Sequence, residues 1–225
     1  MKYAVVDGRR QEAFPKGRGT CPMCSGATIA RCGQFVVHHW AHDALASCDR
    51  WAERETPWHR QWKNRFPEAW QEVASFDDVL TECHIADVKT PSGLVLEFQR
   101  STILQTEVDA RERFYKRMVW IIDGSRNEFD AINFNNMRSH PNSAGLVKFQ
   151  WFSRSKLFHR WHRTVPVFVD FGSAYGFWRI LHFDPLTSVG LAGLVDVDGF
   201  VSLASGGTDF SANGGPATPL PIRTA

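Results

Sequence analysis

The sequence predicts an α/β protein built on a mixed sheet, and three observations carry that prediction. Between residues 49 and 124 the hydrophobic pattern runs helix, three strands, helix, strand. Ahead of this core lies a short unit dense in cysteine and histidine, "CPMCSGATIARCGQFVVHHWAH". Behind it the chain becomes basic and aromatic and then strand-like.

The elements follow in order. Tyr3 to Val6 reads as a short strand before a polar, Gly-rich connection. From Asp49 to Arg65 the pattern is helical, with Trp51, Trp58, Trp62 and Phe66 recurring at roughly helical spacing. Thr56-Pro57 is either the N-cap and first helical position or an interruption of a longer helix. Residues 69–76 read as a strand, "CHIADV" as a second and "LVLEFQ" as a third, with turns at "FDD" and "TPSG". Residues 104–117 form a charged amphipathic helix, and "MVWIID" is a fully apolar strand. Further on, "VPVFVDFG", "GFWRILHF" and "GFVSLA" read as strands, and the Gly-, Pro-, Ser- and Thr-rich segment from Ser205 reads as a flexible tail. The expected organisation is a cysteine–histidine module at 1–48, a core at 49–148, a β-rich extension at 149–204 and a tail at 205–225.

A chain of 225 residues can hold one sizeable core or a core with a small appended module. Seventeen phenylalanines and nine tryptophans allow it a large buried area per residue. The net charge of +2 neither demands nor excludes nucleic acid, so a basic patch must be sought locally. The amino terminus lacks the apolar run of a secretory signal, and no apolar stretch is long enough to span a membrane. Five cysteines, an odd number, argue against a disulfide framework, so a cytoplasmic chain is expected.

Cys21 and Cys24 form a tight CxxC, and His39 and His42 an HxxH shortly after. Two thiolates and two imidazoles suit tetrahedral zinc in a closed, structural site. Cys32, His38 and Cys48 are rival ligands. On the third core strand Val95, Glu97 and Gln99 share one face. A tight turn centred near Ser92 would set Asp87 opposite Glu97, an arrangement that favours a divalent cation between two like charges. Carboxylates simply facing solvent are the alternative.

The "D…ExQ" hairpin, preceded by a helix and a strand, resembles the PD-(D/E)XK nuclease core. More closely, "KGRGTCPMC", "HHWAH", "ETPWHRQWKNRFP", "HIADV", "LVLEFQRSTI" and "RERFYKRMVWIIDG", in that order, resemble the CoiA-like competence-associated nucleases. The resemblance spans most of residues 3–124. It implies a restriction-endonuclease-like mixed-sheet core behind a zinc-ribbon-like module, with a β-rich C-terminal extension. It also implies metal-dependent hydrolysis of nucleic-acid phosphodiesters, most readily DNA. Asp87 and Glu97 match the family's ligands for catalytic magnesium or manganese, and Gln99 stands where many related nucleases place lysine. Glu55 matches a metal or water ligand, and His59 and Lys63 are candidates for phosphate contact or for the missing lysine's role. If one helix carries Glu55, His59 and Lys63, their spacing puts them on one face, which is otherwise simply the solvated face of the helix. Glu72 is a further candidate ligand, or equally a surface residue. Arg111 and Tyr115, four apart, would bind backbone phosphate beside the metal, or equally are an exposed arginine and a tyrosine packed on the sheet.

Arg154, Lys156, Arg160 and Arg163 are interleaved with Trp151, Phe152, Phe158 and Trp161. They would grip phosphates and stack on unpaired bases, unless the aromatics are core and the basic residues only its outer face. The reading expected from the sequence is a DNA nuclease, with self-association left open. The alternatives are a nucleic-acid-binding protein that has lost catalysis and an interaction protein using the aromatic C-terminal region.

Overall fold

The computed structural model describes residues 1–43, 48–79, 81–152, 154–161, 165–208 and 210. They form a mixed α/β fold with more strand than helix, divided into two compact units, Met1–Lys89 and Thr90–Ala225. No helix among the described residues is long and apolar enough to cross a membrane. Of the expected tail at 205–225, residues 209 and 211–225 lie outside the described residues, and Ser205 closes a helix.

The first unit opens with a five-stranded antiparallel sheet in the order β2-β1-β3-β4-β5. Its strands are β1 (Tyr3–Val6), β2 (Arg9–Glu12), β3 (Arg18–Thr20), β4 (Ala27–Arg31) and β5 (His39–His42). Asp7 and Gly8, both at positive φ, make the two-residue turn between β1 and β2 that matches the natural strand twist. Trp40 is buried against Ala4 and Ala13, and its indole N–H donates to the Gln11 carbonyl at 3.0 Å. A side chain at Gly17 would meet the Trp40 ring at 2.8 Å, so glycine lets the backbone pass over the indole.

Helix α1 (Pro57–Lys63) follows. Thr56 is its N-cap, with Oγ1 accepting from the His59 N–H, and Pro57 occupies the first turn where a missing N–H costs nothing. The proline therefore starts the helix and does not interrupt one, and Glu55 lies before the cap. The expected single-helix face of Glu55, His59 and Lys63 is thereby corrected: only the last two are on α1. The antiparallel pair β6 (Gln71–Asp77) and β7 (Glu82–Lys89) completes the unit.

The second unit carries six strands in the order β10-β13-β12-β11-β9-β8. β8 (Val95–Gln99), β9 (Met118–Asp123) and β11 (Val167–Asp170) are parallel neighbours, while β12 (Phe177–Asp184), β13 (Val189–Val195) and β10 (Leu146–Gln150) continue antiparallel. Every residue of β8 and β9 is buried, as expected of parallel strands covered on both faces. Helix α2 (Gln105–Tyr115) links them. Helices α3 (Glu128–Met137), α4 (Leu157–Arg160) and α5 (Val197–Ser205) complete the unit.

Its core is aromatic. Phe134 packs on Phe149, Phe158, Phe171 and Trp178, and Phe168 on Phe177, Phe200 and Phe210. A side chain at Gly190 would lie 2.2 Å from the Phe149 ring, so β13 needs glycine there. "GFVSLA", expected as a strand, is the body of α5. Asp196 caps that helix by accepting from the Gly199 N–H at 2.8 Å, and Phe200 and Ala204, one turn apart, are buried.

Candidate metal centre and carboxylate sites

Sγ of Cys21, Cys24 and Cys48 and a ring nitrogen of His42 lie within 4.8 Å of one another. Cys21 to Ser25 form a knuckle: the Ser25 N–H donates to the Cys21 carbonyl at 2.9 Å, and the Cys21 N–H to the Gly26 carbonyl at 2.8 Å. Ser25 takes a positive φ to close the turn. The N–H groups of Met23 and Gly26 point at the sulfurs of Cys21 and Cys24, each at 3.4 Å, and stabilise thiolate. A Cβ at Gly26 would sit 3.1 Å from the Cys24 sulfur, so glycine keeps that approach open.

The donor chemistry fits zinc. Three sulfurs and one imidazole crowd together, with Cys21 Sγ 3.6 Å from Cys48 Sγ and Cys24 Sγ 3.3 Å from His42 Nε2. Against the upward push of burial, the Gly26 N–H and the side chains of His42, Cys48 and Cys21 hold the Cys24 thiol down to about 7. Burial, then Cys24 and Cys21, push the Cys48 thiol strongly up, because several thiolates cannot coexist there without a cation. A dication of borderline softness removes that conflict. Among the described residues this is the one group of three or more Cys, His, Asp or Glu side chains whose ligand atoms converge in this way.

His39, expected as the fourth ligand, is not in the cluster. Its Nδ1 lies 2.8 Å from the Val37 carbonyl oxygen, and Cys48 takes the place assigned to it. The reason is strand geometry: His39 and His42 are three apart on β5, so their side chains leave opposite faces. Cys32 packs instead against the cluster of Ala4, Ala13 and Trp40.

The second arrangement centres on Lys63. Its Nζ lies 2.7 Å from Glu55 Oε2, 2.9 Å from Glu72 Oε1 and 3.2 Å from Asp87 Oδ1. The β6–β7 register, Gln71 against Val88 and Val73 against Ala86, sets Glu72 across from Asp87. Two facing carboxylates repel, and the ammonium reaching over from α1 compensates them. Burial alone would lower the Lys63 pKa, but Glu72, Asp87 and Glu55 outweigh it and raise it well above the usual lysine range. Burial would likewise raise Glu55 and Glu72, and Lys63 above all holds both below the usual carboxylate range.

Glu72 is also gripped by the backbone N–H groups of Lys2, at 2.6 Å, and Tyr3, at 3.1 Å. It adopts φ +47°, a left-handed conformation uncommon outside glycine, so its placement is held by partners and not by local preference. Asp87 is the most accessible of the three carboxylates, its side chain 22% exposed against 4% for Glu55 and 5% for Glu72. His59, by contrast, is buried and turned to Thr56 Oγ1 at 2.7 Å and Glu53 Oε2 at 2.9 Å.

In the second unit Glu97 is buried on β8 and accepts from Arg111 Nη1 of α2 at 2.9 Å. Arg111 also donates to Glu107 through Nε and Nη2, at 3.1 and 2.5 Å. The arginine expected to meet phosphate is thus only 5% exposed and serves as the partner of Glu97. Tyr115, half-buried, packs edge-on against Phe114. Gln99 donates to the carbonyl and hydroxyl of Ser101 at 3.0 and 3.1 Å.

Trp151, Phe158 and Trp161 are core residues, so base stacking on them is ruled out and Phe152 alone of the four aromatics is exposed. Arg154 and Lys156 are exposed and Arg160 half-buried, while Arg163 lies outside the described residues. Sequence reasoning missed the Asp49–His84 pair at 2.8 Å and the Arg100–Asp123 ion pair, which no spacing rule announces. Comparison with family models, with curated proteins and with solved structures returns no match.

Proposed function

We propose that the protein is a metal-dependent nuclease that hydrolyses DNA phosphodiester bonds on a restriction-endonuclease-like core of the kind seen in CoiA-like proteins. In this reading Asp87 and Glu97 are the carboxylate ligands of a magnesium or manganese ion, and the thiolate–imidazole centre is a structural zinc site. The observation that carries the proposal is Lys63. Gln99 leaves vacant the lysine position of related nucleases, and α1 delivers a buried ammonium to Asp87 instead.

The residues fit a hard divalent ion, which prefers carboxylate oxygens; Asp87 offers the most accessible of them. Bound there, such an ion supplies Lewis acidity toward phosphate and lowers the pKa of a coordinated water. The chain's own groups do the rest. Glu55 and Glu72 keep Lys63 protonated, Lys63 holds the Asp87 carboxylate in place, and Arg111 fixes the Glu97 carboxylate. Arg154 and Lys156, exposed beyond the aromatic core, offer phosphate contacts. A reducing cytoplasm suits five thiols.

The test is cleavage of supercoiled plasmid and of circular single-stranded DNA by the zinc-loaded protein in magnesium, manganese or EDTA. Cutting that requires the divalent ion is expected, and the preferred circle names the substrate. A second reading, DNA binding without cleavage, is favoured by the cations already seated on the carboxylates, Lys63 on Asp87 and Arg111 on Glu97. Retained binding with no cutting in either metal would establish it.

A further inference from the structure

Cys48 runs directly into Asp49, whose carboxylate makes contacts of another kind. Asp49 is buried. Its Oδ1 accepts from the Trp51 N–H at 2.9 Å and lies 2.8 Å from His84 Nδ1, and its Oδ2 accepts from the Ile85 N–H at 2.8 Å. Trp51 stacks on the His84 ring with centroids 3.3 Å apart and planes 14° from parallel. His84 and Ile85 belong to β7, the strand that presents Asp87 two residues later.

One side chain therefore ties the residue after a metal ligand to the strand of the proposed catalytic carboxylate. Burying a carboxylate is costly unless its hydrogen bonds are made, so these bonds hold both ends firmly. Cys48 meets the cluster through its sulfur, which lies 3.6 Å from Cys21 Sγ.

We propose that Asp49 is a positioning residue through which occupancy of the Cys21–Cys24–His42–Cys48 centre sets the strand that carries Asp87. The coupling itself stands on the geometry of the first unit; only its catalytic consequence rests on the nuclease reading. Outer-shell partners of metal ligands act in this way, orienting what the metal holds.

The experiment is hydrogen exchange by mass spectrometry on the full chain, with zinc bound, with zinc stripped, and on zinc-loaded Asp49→Ala and Asp49→Asn. In zinc-loaded Asp49→Ala, exchange across residues 83–88 should accelerate by about tenfold or more, the scale of a lost charge-assisted hydrogen bond. Stripped wild type should show the same local acceleration, and Asp49→Asn, which keeps a carbonyl acceptor, should recover part of the protection. Strand Tyr3–Val6 should stay protected throughout.

Unchanged exchange at 83–88 in stripped wild type or in Asp49→Ala overturns the proposal. So does loss that spreads to Tyr3–Val6 on stripping, because the metal would then hold the whole unit and not this strand. Should Asp49→Ala fail to fold, Asp49→Asn decides alone, between partial acceleration and none. The nuclease reading is separated by a second readout. If it holds, Asp49→Asn should need several-fold more manganese for half-maximal cleavage at unchanged KM for DNA. If it fails, no cleavage is seen while the exchange pattern stands.

Discussion

Replacing Lys63 with methionine is expected to lower the free energy of unfolding by about 3–5 kcal/mol at pH 7, the usual cost of breaking a buried ion pair from one side. The size follows from what remains. Glu55, Glu72 and Asp87 would keep their charges around a site that no longer holds a cation, with Glu72 directly across from Asp87. The pH dependence should also change sign. In the wild type, Glu55 and Glu72 are depressed on folding, so their contribution is present above the unfolded carboxylate value of about 4.3 and is lost as pH falls through the folded values. Lys63 is raised on folding, so its contribution is complete below the unfolded lysine value of about 10.4 and is lost only as pH rises through the folded value.

Wild-type stability contributed by the cluster should therefore be level between roughly pH 5 and pH 10 and decline below that window. In Lys63→Met the crowded carboxylates gain from protonation, so stability should rise as pH is lowered from 7 toward about 5. Urea unfolding of the zinc-loaded proteins at pH 7 and pH 5 checks both statements. A variant as stable as wild type, or one that weakens toward acid, would mean that Lys63 does not compensate the three carboxylates.

The second large effect concerns zinc. Cys48→Ala is expected to abolish stoichiometric zinc binding near neutral pH, whereas His39→Ala should retain one zinc per chain. Loss of a coordinating thiolate should exceed the roughly 10–100-fold drop in affinity that follows loss of an outer-shell partner. His39 spends its Nδ1 on the Val37 carbonyl and leaves the face of β5 opposite to His42, so its removal touches no ligand. Metal content of the purified proteins, with a chromophoric chelator competing for the ion, separates the two. Retention of zinc by Cys48→Ala, or its loss from His39→Ala, would restore the histidine pair as ligands.

That contrast shows where the sequence was legible and where it was not. CxxC is a local signal, since two ligands from one tight turn need only the turn itself, and Cys21 and Cys24 are placed as the motif suggests. HxxH carries information only on a helix or in a turn. On β5 the period of two separates His39 from His42, and the ligand that replaces His39 arrives from beyond residues 44–47. The strands that bear Asp87 and Glu97 were readable because alternation and the "TPSG" turn are local patterns.

The start of α1 was ambiguous between Pro57 and a longer helix running from Asp49, and that start decides whether Glu55 belongs to the helix. Its cap, Thr56, is a common signal, but only the structure shows Pro57 at the first turn. α5 was misread because "GFVSLA" has β-branched and aromatic residues, while the deciding cues, Asp196 before it and Phe200 and Ala204 one turn apart, lie partly outside the hydrophobic run. The basic–aromatic segment at 149–163 illustrates a different limit. Composition cannot say which way an aromatic faces, and here Trp151, Phe158 and Trp161 go to the core. Arg111 is similar: a helix pattern places it, but its ion pair with Glu97 is a tertiary fact.

In the proposed reading Asp87 and Glu97 act as the carboxylates of a phosphodiester-hydrolysing site. The most direct measurement is the rate of manganese-dependent DNA cleavage by wild type, Asp87→Ala and Glu97→Ala, each folded and carrying one zinc. Both variants should lose about a thousandfold in rate, the scale expected when the groups that position transition-state stabilisation are removed. Equal cutting by all three proteins would contradict it.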